Sequence, residues 1–398
     1  MKITSLLFKG YIFALLLLAV NVASASAPRI SLLTVGPGEK TYQLEGHSAL
    51  RITTDDDDMV VNWGIFDFNT PNFAYRFVKG ETDYSIGVTP MTWFLAEYAR
   101  SGRYVKEQPL NLSPAEAEEV VRLVNINLQP ENRIYRYNYV RDNCATRPLA
   151  IIEKALAVDG AHLAINVPEE SVTIRDEMRR YHANFPAYQL FIDFALGSGI
   201  DQKVTPRERA FAPIYLCEMA SDSEIIAADG VARPFTAGIE TLLYSQIGTP
   251  SESSMPWAPT IIALLTVWTI IISRNNIKHR RESRWFDAIL FGSVGFIGLI
   301  AAFLVFISEH EATSPNINLL WADPLCLIIP LIIWFKKCKY IVFYFQIINF
   351  ALLLVWLVGQ PFFHQSTNLL FIPLVCCEII RCATYIYLNK KCLDPTKA

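Results

Sequence analysis

The feature that most constrains the fold of this chain is a set of five long apolar runs that fill the sequence after residue 256. They lie at about residues 257–273, 286–308, 318–335, 340–359 and 367–388. Each run is close to the ~20 residues that a helix needs to cross the hydrocarbon core of a bilayer. The sequence therefore predicts an all-α bundle of five transmembrane helices within residues 251–398.

The charges between these runs indicate which side of the membrane each loop faces. Lys and Arg are frequent in the first and third loops and in the C-terminal tail, whereas residues 309–315 and 360–367 contain neither. Because basic loops remain on the cytoplasmic side, we expect a cytoplasmic C-terminus and an exported segment before residue 257. In a bacterium with two membranes this topology corresponds to an inner-membrane protein with a periplasmic domain.

The N-terminus points to the same topology. Residues 1–27 contain Lys2 and Lys9, an apolar run and then the small residues ASA at positions 23–25, as a secretory signal does. An uncleaved first membrane helix is the alternative, and it also places the following residues outside the cytoplasm. We thus expect a signal peptide at 1–27, an exported domain at 28–250 and a membrane domain at 251–398.

The composition of the exported segment narrows its chemistry. The whole chain has a net charge of -3, which gives no basic field for nucleic acid. Only Cys144 and Cys217 of the eight cysteines lie in this segment, too few for a disulfide framework. It also lacks a zinc-binding spacing of His and Cys, so we expect no metal and no cofactor.

Cys144 has the sequence surroundings of a nucleophile. A strand-like segment at 134–140 precedes it, and Asp142 is a suitable N-cap for a helix that would begin at the cysteine. A helix N-terminus favours the thiolate and offers amides to an oxyanion. His47 is the candidate base, and a buried structural cysteine is the alternative.

Several blocks of the sequence resemble the Lnb family, the lipoprotein N-acyltransferases of Bacteroides-type bacteria. The blocks are GHSALR at 46–51, NWGIFDF at 62–68, NF at 72–73, FVKG at 77–80, NYVRDNCATR at 138–147, FAPIYL at 211–216 and NLLWADPL at 318–325. The resemblance implies transfer of a fatty acyl chain from a membrane phospholipid to the α-amine of the N-terminal diacylglyceryl-cysteine of a lipoprotein.

The order of histidine before cysteine is similar to the circularly permuted papain-like (NlpC-like) fold shared with lecithin:retinol acyltransferase. That resemblance implies an α+β domain with His47 as base and Cys144 as nucleophile. It also implies a third polar residue on the strand after His47, with Asn62 as first choice and Asp67 as second. The other polar residues of the cysteine block are expected to bind substrate: Asp142, Asn143 and Arg147.

Polar residues in and beside the membrane runs are further candidates for substrate binding, because such residues are costly in lipid. Those expected on the outer side are Asn318, Trp321, Asp323 and Gln360. Arg381 lies three residues after Glu378, hence on the same helix face. Its alternative role is an ion pair with Glu378 at the cytoplasmic edge.

Other functions remain open at this level. A membrane-anchored thiol hydrolase, either a phospholipase or a cell-wall peptidase, would use the same residue types. A lipid- or lipoprotein-binding protein without catalysis would need none of them.

Overall fold

We describe residues 26–252 and 257–393 of a computed structural model of the chain. The predicted signal segment up to residue 25 lies outside the described residues.

Within residues 26–252, ten strands form two antiparallel sheets. The strands are β1 Arg29–Val35, β2 His47–Thr53, β3 Asp58–Ile65, β4 Asp83–Pro90, β5 Val105–Pro109, β6 Ile134–Arg136, β7 His162–Ile165, β8 Ser223–Ile226, β9 Ala232–Pro234 and β10 Glu240–Leu243. The larger sheet has the order β10-β5-β1-β2-β3-β4-β6, and the smaller has the order β7-β8-β9.

The α-helices of the exported part surround the larger sheet. They are α1 Phe73–Lys79, α2 Met91–Arg100, α3 Pro114–Asn127, α4 Thr146–Leu156, α5 Ile174–His182, α6 Pro186–Ala195, α7 Pro206–Arg209 and α8 Pro213–Ser221. In the membrane part the helices are α9 Trp257–His279, α10 Arg284–Phe306, α11 Ile328–Ile332, α12 Lys339–Gly359 and α13 Phe371–Leu388.

The larger sheet is covered on both faces because its strands alternate two sets of apolar side chains. Leu50 and Trp63 point into the main core, where Leu149 of α4 is also buried. Ala49 and Val60 point to the other face, against Phe94 of α2. The segment that carries Cys144 therefore leads directly into a helix that packs on the sheet carrying His47.

The sequence signals for local structure hold in two places. Ser113 and Glu116 form the expected capping box at the start of α3, with both reciprocal hydrogen bonds present. The aspartate-rich segment forms the turn between β2 and β3, closed by a hydrogen bond from the amide of Asp57 to the hydroxyl of Thr54.

The membrane part differs from the prediction in one span. Among the described residues, four helices are long and apolar enough to cross a membrane: Trp257–His279, Arg284–Phe306, Lys336–Phe362 and Phe371–Leu388. The run at 318–335 is not one continuous helix but short 3-10 turns followed by the five-residue α11.

Prolines and close packing account for this break. Pro324 and Pro330 each lack an amide donor and interrupt a regular helix. The broken backbone packs directly against α10, where a Cβ at Gly298 would lie 2.2 Å from the carbonyl oxygen of Ala322. Irregular backbone is tolerated at membrane depth when protein covers it in this way.

Hydrogen bonds connect the exported part to the outer loops of the membrane part. Asn316 donates to the carbonyl of Phe194 at 2.9 Å, and Arg179 donates to the hydroxyl of Ser366 at 2.8 Å. These contacts hold the sheet domain against the outer ends of the membrane helices.

Candidate active site

His47 is held at the start of β2 by a turn that only glycine fits well. Gly46 has a φ of 84°, and a Cβ there would lie 2.4 Å from the carbonyl oxygen of Val35. His47 pairs with Val35 at the end of β1. Its side chain consequently lies at one end of a central strand and is half-buried.

Asn62 is the residue that orients the histidine. It pairs with Ala49 on the adjacent strand, and its Oδ1 lies 3.1 Å from Nε2 of His47. Since an amide oxygen only accepts, Nε2 carries the proton and Nδ1 keeps the lone pair of a base. The second choice, Asp67, lies in an exposed turn and accepts hydrogen bonds from Asn69.

The thiol of Cys144 is buried beside this pair. The backbone amide of Ser48, the residue after His47, donates to its sulfur, and Tyr137 hydrogen-bonds to it as well. Gly64 makes room, because a Cβ there would lie 3.1 Å from the ring of Tyr137 and 3.8 Å from the Cβ of Cys144. Cys144, His47 and Asn62 are thus brought together.

The loop around Cys144 differs from the prediction. Helix α4 begins at Thr146, two residues after the cysteine, with Ala145 as its N-cap residue. The side chain that hydrogen-bonds to amides at this helix start is that of Asn143. Asn143 Oδ1 accepts from the amides of Ala145 and Thr146 at 2.8 and 2.9 Å. Asp142 is not the N-cap, because its carboxylate forms an ion pair with Arg147.

The resting state of the pair is neutral. Burial raises the pKa of the Cys144 thiol, more than the amide of Ser48 and the buried guanidinium of Arg103 lower it. Burial also lowers the pKa of His47 to about 4, although its hydrogen bond to Asn62 opposes this shift. Both shifts favour the neutral thiol over the thiolate at rest, because the thiol is desolvated and precedes the helix.

A second buried acid-base group lies next to the site. Glu45 is buried two residues before His47, hydrogen-bonds to Tyr139 and lies 3.8 Å from Nε2 of His182. Burial raises the pKa of Glu45 to about 8, although its hydrogen bond to Tyr139 opposes this shift. His182 is itself buried against Gln189.

Sequence reasoning missed Tyr137 and Glu45 for different reasons. Tyr135, Tyr137 and Tyr139 alternate in a strand-like segment, a spacing that places side chains on one side of an extended chain. This spacing is the sequence signal that could have identified Tyr137. No sequence signal indicates that the carboxyl of Glu45 folds inward.

Asn143 and Arg147, which were predicted to bind substrate, instead make hydrogen bonds and ring contacts within the protein. Asn143 uses its whole amide, because its Nδ2 also donates to the carbonyls of Tyr139 and Phe211. The guanidinium of Arg147 lies 3.4 Å over the ring of Tyr135. These contacts stabilise the cysteine loop.

The membrane candidates lie apart from this site. Asn318 donates to the carbonyls of Asp193 and Phe194 and accepts from the indole of Trp321. Asp323 caps a 3-10 turn, and Gln360 lines an open cleft at the outer surface.

Arg381 does not pair with Glu378. It pairs with Asp287 on α10 at 2.7 and 3.0 Å and donates to Ser273 and Asn276 on α9. Arg381 therefore links three membrane helices.

Comparison with known proteins divides the chain in the same way. Residues 21–178 match the model of the Lnb N-terminal periplasmic domain, and residues 250–392 match the model of the Lnb transmembrane domain. No curated protein and no solved structure matches the chain.

Proposed function

The chain belongs to the Lnb family, and from that premise we propose that it is a lipoprotein N-acyltransferase working through a thioester on Cys144. It is a membrane protein with a periplasmic domain. The proposed donor is a membrane phospholipid, and the proposed acceptor is the α-amine of a lipoprotein's diacylglyceryl-cysteine. The observation that carries the proposal is the His47–Asn62 hydrogen bond beside the buried thiol of Cys144.

The first half-reaction forms the acyl-enzyme. Nδ1 of His47 takes the proton of the thiol as Sγ of Cys144 attacks the ester carbonyl carbon of the phospholipid. An S–C bond forms, the ester C–O bond breaks, and His47 returns the proton to the leaving glycerol oxygen. The products are a thioester on Cys144 and a lysophospholipid.

The second half-reaction transfers the acyl group. The neutral α-amine of the lipoprotein attacks the thioester carbonyl, a C–N bond forms, and the C–S bond breaks. The amine proton passes through His47 to the sulfur and restores the thiol. Amides at Ser48 and Cys144 hydrogen-bond to the sulfur, and we assign these two amides as donors to the oxyanion of both tetrahedral intermediates.

The proposed organisation follows from the same premise. We assign a signal peptide to residues 1–27, a catalytic domain of permuted papain-like fold to 28–250 and the membrane domain to 251–398, with a cytoplasmic C-terminus in the inner membrane. The chain order of His47 on β2, Asn62 on β3 and Cys144 before α4 supports that fold.

Mass spectrometry of lipoprotein N-termini tests the proposal in cells that depend on this chain. Wild-type protein yields lipoproteins with an amide-linked third acyl chain, and Cys144→Ala leaves them diacylated. Cys217→Ala is the matched control, because Cys217 is the other buried cysteine of the exported part. Unchanged triacylation with Cys144→Ala contradicts the mechanism, and lysophospholipid release without triacylation identifies a phospholipase.

A further inference from the structure

Helix α1 presents an apolar face at the outer end of a membrane helix. Tyr75 and Phe77 are 55% and 50% exposed, and the ring of Tyr75 lies 6.2 Å from Phe303 of α10. The carbonyl of Lys79 accepts a 2.7 Å hydrogen bond from the amide of Glu309, just beyond that helix. Exposed apolar and aromatic surface at this level is typical of contact with lipid.

An unbroken series of aromatic rings leads from this face into the catalytic domain. Phe77 stacks on Phe73 at 5.9 Å, and Phe73 stacks on Phe66 at 5.9 Å. Phe66 lies 5.1 Å from Tyr84, which stacks on Tyr137 at 4.3 Å. Phe68 and Tyr42, both exposed, border the series beside Phe66.

The series ends at the nucleophile, because Tyr137 hydrogen-bonds to the thiol of Cys144. We propose that these rings, from Phe77 to Tyr137, form an acyl track that binds the fatty acyl chain of the phospholipid donor between the bilayer and Cys144. This inference rests on the proposed function and adds the path of the donor chain to it.

Three properties of the track fit an acyl chain better than a plain membrane anchor. The four membrane helices already anchor the protein, so an anchor at α1 would add little. An anchor also needs only the exposed rings of α1, whereas Phe66, Tyr84 and Tyr137 lead away from the bilayer. Finally, the four ring-to-ring steps of 4.3–5.9 Å together exceed the depth of one leaflet, about 15 Å or half of the hydrocarbon core, so the series is long enough to lie along an acyl chain.

Acylation of Cys144 by two donors tests the track with the purified full-length protein. One donor is dipalmitoyl phosphatidylethanolamine in detergent micelles, and the other is p-nitrophenyl acetate, whose acetyl group is too short to reach beyond Tyr137. Intact-protein mass spectrometry gives both rates of adduct formation, and their ratio is the readout.

Phe77→Ala and Phe73→Ala, both within the track, are each expected to lower the palmitoyl-to-acetyl ratio about tenfold, equivalent to about 1.4 kcal/mol. Trp93→Ala is the matched control, because Trp93 is a 70% exposed aromatic residue on α2, outside the track; its ratio is expected to stay within about twofold of wild type.

The other possible results distinguish a failure of the acyl track from a failure of the proposed function. Wild-type acylation by the phospholipid with unchanged ratios in both phenylalanine variants overturns the track and leaves the proposed function standing. An equal loss with both donors also overturns the track, because the rings then support only the fold. A wild-type protein that never accepts a palmitoyl group from the phospholipid refutes the proposed function, and the track falls with it.

Discussion

Nε2 of His47 lies 3.1 Å from Oδ1 of Asn62 on the neighbouring strand, and this bond sets which nitrogen of the ring faces the substrate as a base. Replacing Asn62 with Ala is therefore expected to lower the rate of Cys144 acylation by at least about tenfold. Stopped-time mass spectrometry of the acyl adduct measures this rate.

Asp67→Asn is the matched control for that substitution, because Asp67 lies in an exposed turn with Asn69. It is expected to leave the rate within about twofold of wild type. A rate lowered by Asp67→Asn and not by Asn62→Ala would reverse the assignment of the orienting residue.

The neutral resting state predicts the pH dependence of thiol reactivity. Burial raises the pKa of Cys144 and lowers that of His47 to about 4, so a thiolate–imidazolium pair is not formed at neutral pH. Alkylation of Cys144 by iodoacetamide is expected to be slow at pH 6–7 and to increase continuously toward alkaline pH. A plateau of fast alkylation beginning near pH 5 would contradict this account.

Glu45 predicts a pH-dependent loss of stability. Its pKa is raised from about 4.5 unfolded to about 8 folded, so the folded chain binds more protons between these values. Its contribution is complete below pH 4.5 and is lost as the pH rises through 8. Glu45→Gln keeps the neutral form and is expected to raise the melting temperature at pH 8–9 relative to wild type.

Differential scanning fluorimetry of the purified protein from pH 5 to 9 measures this difference. Glu218→Gln serves as control, since Glu218 pairs with Arg180 at the surface. A Glu45→Gln variant that is destabilised equally at every pH would show that the side chain is held ionised.

Arg381 predicts a structural role in the membrane part. Its guanidinium is fully buried with Asp287, and breaking such a pair costs about 3–5 kcal/mol because the other charge remains buried. Arg381→Met is expected to lower the melting temperature in detergent, and adding Asp287→Leu is expected to recover much of the loss. Arg280→Met, at an exposed arginine, is the control, and a double variant no more stable than Arg381→Met would contradict the pairing.

The hydropathy of the sequence predicted the membrane spans, and its short motifs predicted the residues of the candidate site. The features that were not predicted have physical reasons. Four spans were found because the transfer free energy adds up over about twenty residues. The run at 318–335 has the same hydropathy, but Pro324 and Pro330 break it, and only the packing on Gly298 shows why the break is tolerated.

In the candidate site, too, some residues could be predicted from the sequence and others could not. His47, Asn62 and Cys144 were proposed as catalytic from their blocks; in the structure His47 contacts Asn62, and the amide of Ser48, next to His47, hydrogen-bonds to the sulfur of Cys144. The inward carboxyl of Glu45 depends on Tyr139 and His182, which lie far away in the sequence. Local pattern carries no information about such a contact.

The thioester on Cys144 is the central claim, and a two-step mass measurement on the purified protein tests it most directly. Incubation with dipalmitoyl phosphatidylethanolamine is expected to add one palmitoyl group to Cys144, removable by hydroxylamine and absent from Cys144→Ala. Addition of a synthetic diacylated lipopeptide is then expected to remove that group within one turnover and to yield an N-palmitoylated lipopeptide. A lipopeptide that becomes N-acylated with Cys144→Ala, or a palmitoyl adduct that is lost to water equally fast without the lipopeptide, would contradict the account.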